Sequence, residues 1–267
     1  MRTPTHSLRP LALEHLLIVD ARAKCAAVRA ADWSGAPVDA AARIVCLETL
    51  PGRAHLPVLV SPHRVPQRSC TTRQGRAALI HALAHIESNA VNLALDIAWR
   101  FADLPIPFYR DWIGVAREEA LHFEWLDAHL ATLGHRYGDF PAHNGLWDVA
   151  EKTRDDVLAR LALVPRVMEA RGLDVSPGIR DKLLQAGDHA GAAILTRILE
   201  DEVGHVAIGN RWFHALCKAR GIEPESFEAR ERAARDGPVP KGPFNREARL
   251  RAGFTDREIA ALERAQK

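Results

Sequence analysis

The sequence has 267 residues, 47% of them hydrophobic, so it can form a full core in one large domain or two smaller ones. Its 36 basic and 34 acidic residues give a formal charge of +2, so charge does not argue for nucleic acid or a membrane surface as an obligatory partner, and nucleic acid binding stays open. No apolar run reaches the roughly 18 residues that a membrane span needs. Glu14 and His15 interrupt the apolar N-terminal stretch, so we expect no secretory signal and a cytoplasmic protein.

Residues 1–72 are predicted to form a helical cover followed by a proline-rich connection. Apolar residues recur at helical intervals over 10–31, and 39–50 is predicted to be a second, short helix. The prolines at 51, 57, 62 and 66 predict an extended connection over 51–72, because each removes a backbone donor. We interpret its basic residues as a solvated loop rather than a contact for an anion or RNA: Arg53, His55, His63, Arg64 and Arg68.

Four long helices are predicted over 73–221. The first runs over 73–101 and the second over 105–133, where Gly134 is a typical stop signal. The third covers 147–171 and is expected to kink or break near Pro165.

The fourth helix is predicted to start at Pro177, with Ser176 as its N-cap after a link at 172–175. It extends to residue 220, with a bend or split near 187–191 where two glycines fall. Residues 222–267 are predicted to form an arm with a helix over 224–235. A last helix follows over 255–265, with Thr255 and Glu258 as a capping box. We expect this tail to pack on the protein surface or on a partner subunit.

A repeated Glu-x-x-His motif is the strongest functional signal. Glu202 and His205 lie in one predicted helix, and Glu119 and His122 repeat the spacing in another. Residues three apart stand on one face of a helix, about one turn apart, so each pair directs a carboxylate and an imidazole toward the same place.

Each motif is preceded at nearly the same distance by another glutamate. Glu87 lies 32 residues before Glu119, and Glu169 lies 33 residues before Glu202. This order is the ligand set of the ferritin-like di-iron and di-manganese carboxylate bundles, in which two helices give one Glu each and two give Glu-x-x-His. The sequence therefore predicts an all-α fold, a ferritin-like four-helix bundle with helical N-terminal and C-terminal extensions.

The six residues suit a pair of divalent ions. Four carboxylates and two neutral imidazoles balance the charge of two such ions, and these donors favour iron or manganese. Without metal, four converging glutamates would repel one another in a buried site. Two alternatives stay open, with Glu118 in place of Glu119 and Glu151 in place of Glu169. His81 and His85 are predicted to lie on an outer face, opposite Glu87.

Residues 76–220 resemble the ferritin-like superfamily, and the runs HIESNAV, EEALHF, VPRVMEARGLDV and EDEVGH resemble its DUF455 family. The sequence is also distantly similar to the MiaE-type di-iron tRNA hydroxylases. The resemblance implies that Asp201, just before Glu202, hydrogen-bonds a ligand histidine and orients its ring, with Glu118 in the matching position of the first half.

From the motif and the resemblance we expect two iron ions, and an O2-dependent oxidase or hydroxylase of an unidentified organic substrate. An electron-donor protein is an expected partner, and a homodimer is left open. The alternatives are a di-manganese, catalase-like protein, an iron-handling protein, or a helical scaffold without catalysis. The four cysteines form no Cys-x-x-Cys pair and are expected to be reduced thiols.

Overall fold

The computed structural model describes residues 7–65 and 69–266. Within these residues the regular secondary structure is helical, and the β contact is an isolated bridge between Leu59 and Ala142. The predicted all-α fold class is confirmed. The chain forms two compact units, Met1–Trp147 and Asp148–Lys267. No helix of the described ranges is long and apolar enough to cross a membrane.

The first unit is organised around a helical hairpin. Its helices are α1 (Leu8–Leu16), α2 (Ala21–Ala30), a 3-10 turn (Pro62–Arg64), α3 (Arg73–Arg100) and α4 (Ile106–Thr132). α3 and α4 begin and end where the sequence predicts. The Thr72 hydroxyl caps α3 by accepting the Gly75 amide at 3.0 Å, and Gly134 follows α4 with a positive φ of 83°. α3 and α4 pack against each other across a short loop, which makes them antiparallel neighbours.

The N-terminal predictions are only partly right. The helix predicted over 10–31 is divided into α1 and α2, because Asp20 caps a new start by accepting the Ala23 amide at 2.8 Å. The helix predicted over 39–50 is wrong, and that segment is irregular. The buried Arg9 guanidinium accounts for this, since it binds the carbonyls of Asp39 and Ala42 at 3.0 and 2.7 Å and draws the backbone around itself. Of the predicted connection, Pro66 and Arg68 lie outside the described residues.

The second unit consists of shorter helices around one long helix. Its elements are α5 (Gly145–Lys152), within which the boundary falls, α6 (Val157–Leu163), a π-helical segment (Val164–Glu169), α7 (Ala170–Gln185), α8 (His189–Arg220), α9 (Pro224–Ala234), α10 (Arg246–Arg251) and α11 (Asp256–Arg264). The single helix predicted over 147–171 is wrong, because the buried Arg160 takes the Ala150 carbonyl at 2.6 Å and Asp156 caps a new helix. The irregularity predicted at Pro165 is confirmed, as the π-helical segment.

The predicted link at 172–175 and helix start at Pro177 are wrong, because α7 continues through both. A proline inside a helix leaves the carbonyl four residues earlier without its amide donor. Here that carbonyl belongs to Leu173, and the Asn245 side-chain amide donates to it at 3.1 Å. The break comes instead at Gly187, which has a φ of 76°, and this confirms the split expected near 187–191.

The C-terminal tail packs on α7 and α8 of its own chain, within the second unit. The buried Arg249 guanidinium pairs with the buried Asp174 carboxylate at 2.7 Å. Residues of the tail and of α7 and α8 form one apolar cluster: Ala170, Leu173, Val203, Val206, Ala248, Ala252, Phe254 and Ile259. The capping box predicted at Thr255 and Glu258 is confirmed. The tail therefore completes a core that α7 and α8 alone would leave uncovered.

A close approach to the π-helical segment makes one glycine of α8 indispensable. A Cβ at Gly209 would lie 2.4 Å from Pro165 Cβ, whereas a Cβ at Gly204 would meet nothing within 4 Å. We expect Gly209→Ala to destabilise the protein by about 1–3 kcal/mol, the range for an overpacked core. Gly204→Ala is the matched control, and should stabilise it by about 0.5–1 kcal/mol through helix propensity. Urea unfolding gives the free energy of unfolding of both variants. Equal changes in the two variants would contradict the close contact between Gly209 and Pro165.

Candidate metal centre

Three of the predicted ligands meet in the first unit. α3 carries Glu87, and α4 carries Glu119 and His122, all of them buried. His122 Nδ1 lies 3.3 Å from Glu119 Oε2 and 3.6 Å from Glu87 Oε2. Each of the three offers a ligand atom, and these atoms lie within 4.8 Å of one another. The spacing of Glu119 and His122 along one helix, and the packing of α3 on α4, produce the group.

The electrostatics of this group favour a cation. Burial raises the pKa of the Glu87 carboxyl well above its ordinary value, and the neighbouring Glu119 carboxylate raises it further. Burial lowers the pKa of His122, but the hydrogen bonds and charges of Glu119 and Glu87 outweigh it and raise the pKa overall. Glu87 and His122 thus retain protons that the same groups at a surface would release more readily. A divalent cation would replace those protons as the compensating charge.

The second Glu-x-x-His motif has the same local conformation in the second unit. α8 carries Glu202 and His205, and His205 Nδ1 lies 3.7 Å from Glu202 Oε1. His205 is buried and Glu202 is mostly buried. In both motifs the Nδ1 atom faces the carboxylate three residues earlier, as expected for side chains one turn apart.

Glu169 is the last residue of the π-helical segment and is partly exposed. Pro165 begins the irregularity, since its missing amide and bulky ring disfavour a regular α-helical turn. A π-helical turn accommodates an extra residue, and such turns occur frequently at functional sites. The alternative Glu151 lies in α5, partly exposed and 3.6 Å from Arg154. The place of Glu169 among the ligands stays a prediction.

The two residues predicted to support the ligands differ in environment. Asp201 is partly buried, and its Oδ2 lies 3.4 Å from Arg197 Nε within α8. Glu118 is exposed, whereas the adjacent Glu119 is buried beside His122. The geometry of the first unit therefore favours Glu119 over the alternative Glu118 as the ligand.

Comparisons with known proteins place these residues in a family. The family model described as "Protein of unknown function (DUF455)" matches residues 18–260. The chain belongs to this DUF455 family. An uncharacterized protein of Haemophilus influenzae is 49% identical over 210 residues, which cover 76% of this chain and 73% of that relative. No solved structure matches the chain. All six predicted ligands fall inside the region that the DUF455 model covers.

One sequence prediction about this DUF455 protein is wrong. His81 and His85 were expected on an outer face of α3, and both are buried. The loop between α4 and α5 covers them, because the Tyr137 hydroxyl donates to His85 Nδ1 at 2.8 Å and the Gly138 amide donates to His81 Nε2 at 3.0 Å. Helical geometry placed them correctly away from Glu87. The sequence signal for this burial is an aromatic residue, Tyr137, within a loop rich in glycine and proline.

The donor set of the DUF455 protein fits a metal ion. Carboxylate oxygens and an imidazole nitrogen are donors for iron and manganese, and neither thiol nor thioether belongs to the group. The group lies on rigid helices and is shielded from water. The first unit thus has a buried Glu and His group that could hold a metal ion.

Proposed function

We propose that the protein is a di-iron carboxylate protein of the ferritin-like type that uses O2 to oxidise or hydroxylate an organic substrate. The observation that supports it most is the buried group of Glu87, Glu119 and His122, whose donors and charge suit a cation. The order of the ligands along the sequence supports a pair of ions rather than one. In this proposal Glu169, Glu202 and His205 supply the second half of the ligands, in a ferritin-like arrangement of the helices.

The protein's own residues have definite tasks in this proposal. The carboxylates of Glu87 and Glu119 balance the charge of the ions, and His122 contributes a neutral nitrogen donor. The apolar surroundings exclude water, which strengthens these interactions and limits side reactions. When bound, a pair of reduced iron ions supplies the electrons for O2 reduction and the oxidising power for the substrate. An electron-donor protein is then needed to return the ions to the reduced state.

Metal content per chain tests the proposal most directly. We expect about two iron ions per chain after anaerobic reconstitution, measured by mass spectrometry. The double variants Glu87→Ala with His122→Ala and Glu202→Ala with His205→Ala should each lose metal. Glu14→Ala is the control, since it changes an exposed carboxylate of α1 that is neither a predicted ligand nor a supporting residue. Full metal content in the Glu202 and His205 variant would contradict a shared site, and no metal in the unaltered protein would contradict the proposal.

The reaction needs a separate measurement. The reduced, iron-loaded protein should consume O2 in an oxygen electrode, and the Glu14→Ala control should do the same. The metal-free protein should not. Bound iron without O2 consumption would leave a metal centre and exclude the proposed oxidase.

A further inference from the structure

A polar cleft in the first unit is separate from the Glu87 group. It has a volume of about 140 Å³ and lies among the start of α2, the segment after the Leu50–Pro51 bond, and α3. Its polar lining residues include Lys24, Arg53, His85, Asn89, Asn92 and Tyr137. Those on α3 point away from the face that carries Glu87, since two residues correspond to about 200° of helical rotation. The cleft is therefore not part of the proposed metal site.

Lys24 is a buried cation without a counter-charge. Its side chain is only 3% exposed, and its ammonium donates to Asn92 Oδ1 at 2.6 Å and to the Gly52 carbonyl at 3.0 Å. Both acceptors are neutral, and no carboxylate of the described residues forms an ion pair with it. An ammonium has three N–H donors, so one remains for a further acceptor. Buried lysines are rare unless they are paired, so an anion is the chemical complement of this ammonium.

The neighbouring groups strengthen this preference for an anion. Arg53 adds a second cation and donates to Asn144 Oδ1 at 2.5 Å and, more weakly, to Asn89 Oδ1 at 3.4 Å. Burial, opposed by Cys25 and assisted by the Arg53 charge, lowers the pKa of Lys24 to about 7. Two cations thus lie close together in a partly dehydrated place.

The remaining lining residues are neutral or already have hydrogen-bond or ion-pair partners. His85 accepts from the Tyr137 hydroxyl at Nδ1, and its Nε2 lies 3.1 Å from the His143 carbonyl. Asp20 is the acidic residue among those that line the cleft, and its carboxylate accepts the Ala23 amide as a helix cap. The Arg22 guanidinium at the rim pairs with Asp127. The cationic character of the cleft therefore comes from Lys24 and Arg53.

We propose that this cleft binds a small oxyanion, a carboxylate or phosphate group, with the Lys24 ammonium as its counter-charge and Arg53 as a second donor. Arginine and lysine together bind such groups through charge-assisted hydrogen bonds. The volume suits the anionic group of a small metabolite rather than a whole cofactor. This inference does not depend on iron or on O2, and it adds a second site to the protein.

Isothermal titration calorimetry with inorganic phosphate and, separately, with malonate tests the proposal. We expect saturable binding of at least one probe, and the preferred probe tells which oxyanion the cleft takes. Lys24→Met removes the charge at similar length and should weaken binding about tenfold or more, the loss for one charge-assisted hydrogen bond. Lys182→Met applies the same substitution to an exposed lysine of α7 and should leave binding unchanged.

The fold of each variant is checked by circular dichroism and thermal melting. If Lys24→Met does not fold, Arg53→Gln replaces it, and this variant should also weaken binding. Absence of binding for both probes would overturn the proposal. Binding of equal strength in the unaltered protein and in the folded Lys24 variant would overturn it as well.

Discussion

Glu87→Gln is expected to stabilise the metal-free protein and to remove the stabilisation that metal gives. Burial and Glu119 raise the pKa of Glu87, so the second acid of the pair destabilises the empty site. An amide of the same shape relieves this cost. A ligand that binds only the folded state adds about 2.7 kcal/mol to the free energy of unfolding at a hundred times its dissociation constant. The variant should lose most of this gain.

Guanidinium unfolding under anaerobic conditions, with Fe²⁺ or with a chelator, measures both effects. Glu14→Gln is the control, because Glu14 is exposed on α1 of the same unit and is neither a predicted ligand nor a supporting residue. It should leave both curves close to those of the unaltered protein. A metal ligand is distinguished from a structural acid by two opposite changes in the free energy of unfolding. Glu87→Gln should raise it without metal and lower it with metal, relative to the unaltered protein. A decrease in stability both with and without metal would contradict the metal site.

The second large effect is expected from Arg166→Met in the second unit. The side chain of Arg166 is 2% exposed, and it donates to Glu258 Oε1 at 2.6 Å and to Glu228 Oε2 at 2.9 Å. It also donates to Asn210 on α8. Removing it leaves the buried Glu258 carboxylate without its nearest cation, and loss of one partner of a buried pair typically costs about 3–5 kcal/mol. We expect a loss of this size in the free energy of unfolding.

A second substitution shows whether the loss comes from the stranded charge. Glu258→Gln in the Arg166→Met background should recover part of it, since the remaining amide carries no charge. Arg246→Met is the matched control. Arg246 pairs with Asp256 at an exposed position of the same tail, and such pairs contribute about 0–1 kcal/mol. A loss in Arg166→Met no larger than in Arg246→Met would contradict the role of Arg166 as the buried centre of the tail contact.

Local signals explain which parts of the fold could be predicted. Thr72 caps the start of α3, Pro105 precedes α4 and Gly134 follows it, so the bounds of these helices follow from local residues. The capping box at Thr255 involves residues three apart and is equally readable. The Glu-x-x-His spacing placed Glu119 beside His122 for the same reason, because one helical turn relates them.

Contacts between distant residues explain what could not be predicted. Judged from its neighbours in the sequence, Pro177 indicates the start of a helix. The structure accommodates it inside α7 because Asn245 donates to the Leu173 carbonyl, and no residue near Pro177 signals that contact. The burial of His81 depends on the loop that contains Gly138, far away in the chain. The basic residues after residue 51 appeared to be a solvated loop, yet Arg53 lines the cleft that contains buried Lys24. Each of these features is fixed by tertiary packing that periodicity does not encode.

The hydrogen bond from Asn245 to the Leu173 carbonyl also couples the evolution of positions 177 and 245. A proline at 177 leaves the Leu173 carbonyl without a backbone donor, so it is tolerated only while the Asn245 side-chain amide donates to that carbonyl. A relative that loses the asparagine should therefore also carry an ordinary helix former in place of the proline. Ancestral sequences in which the asparagine appears before the proline would be viable at every step, whereas the reverse order would pass through a weakened protein.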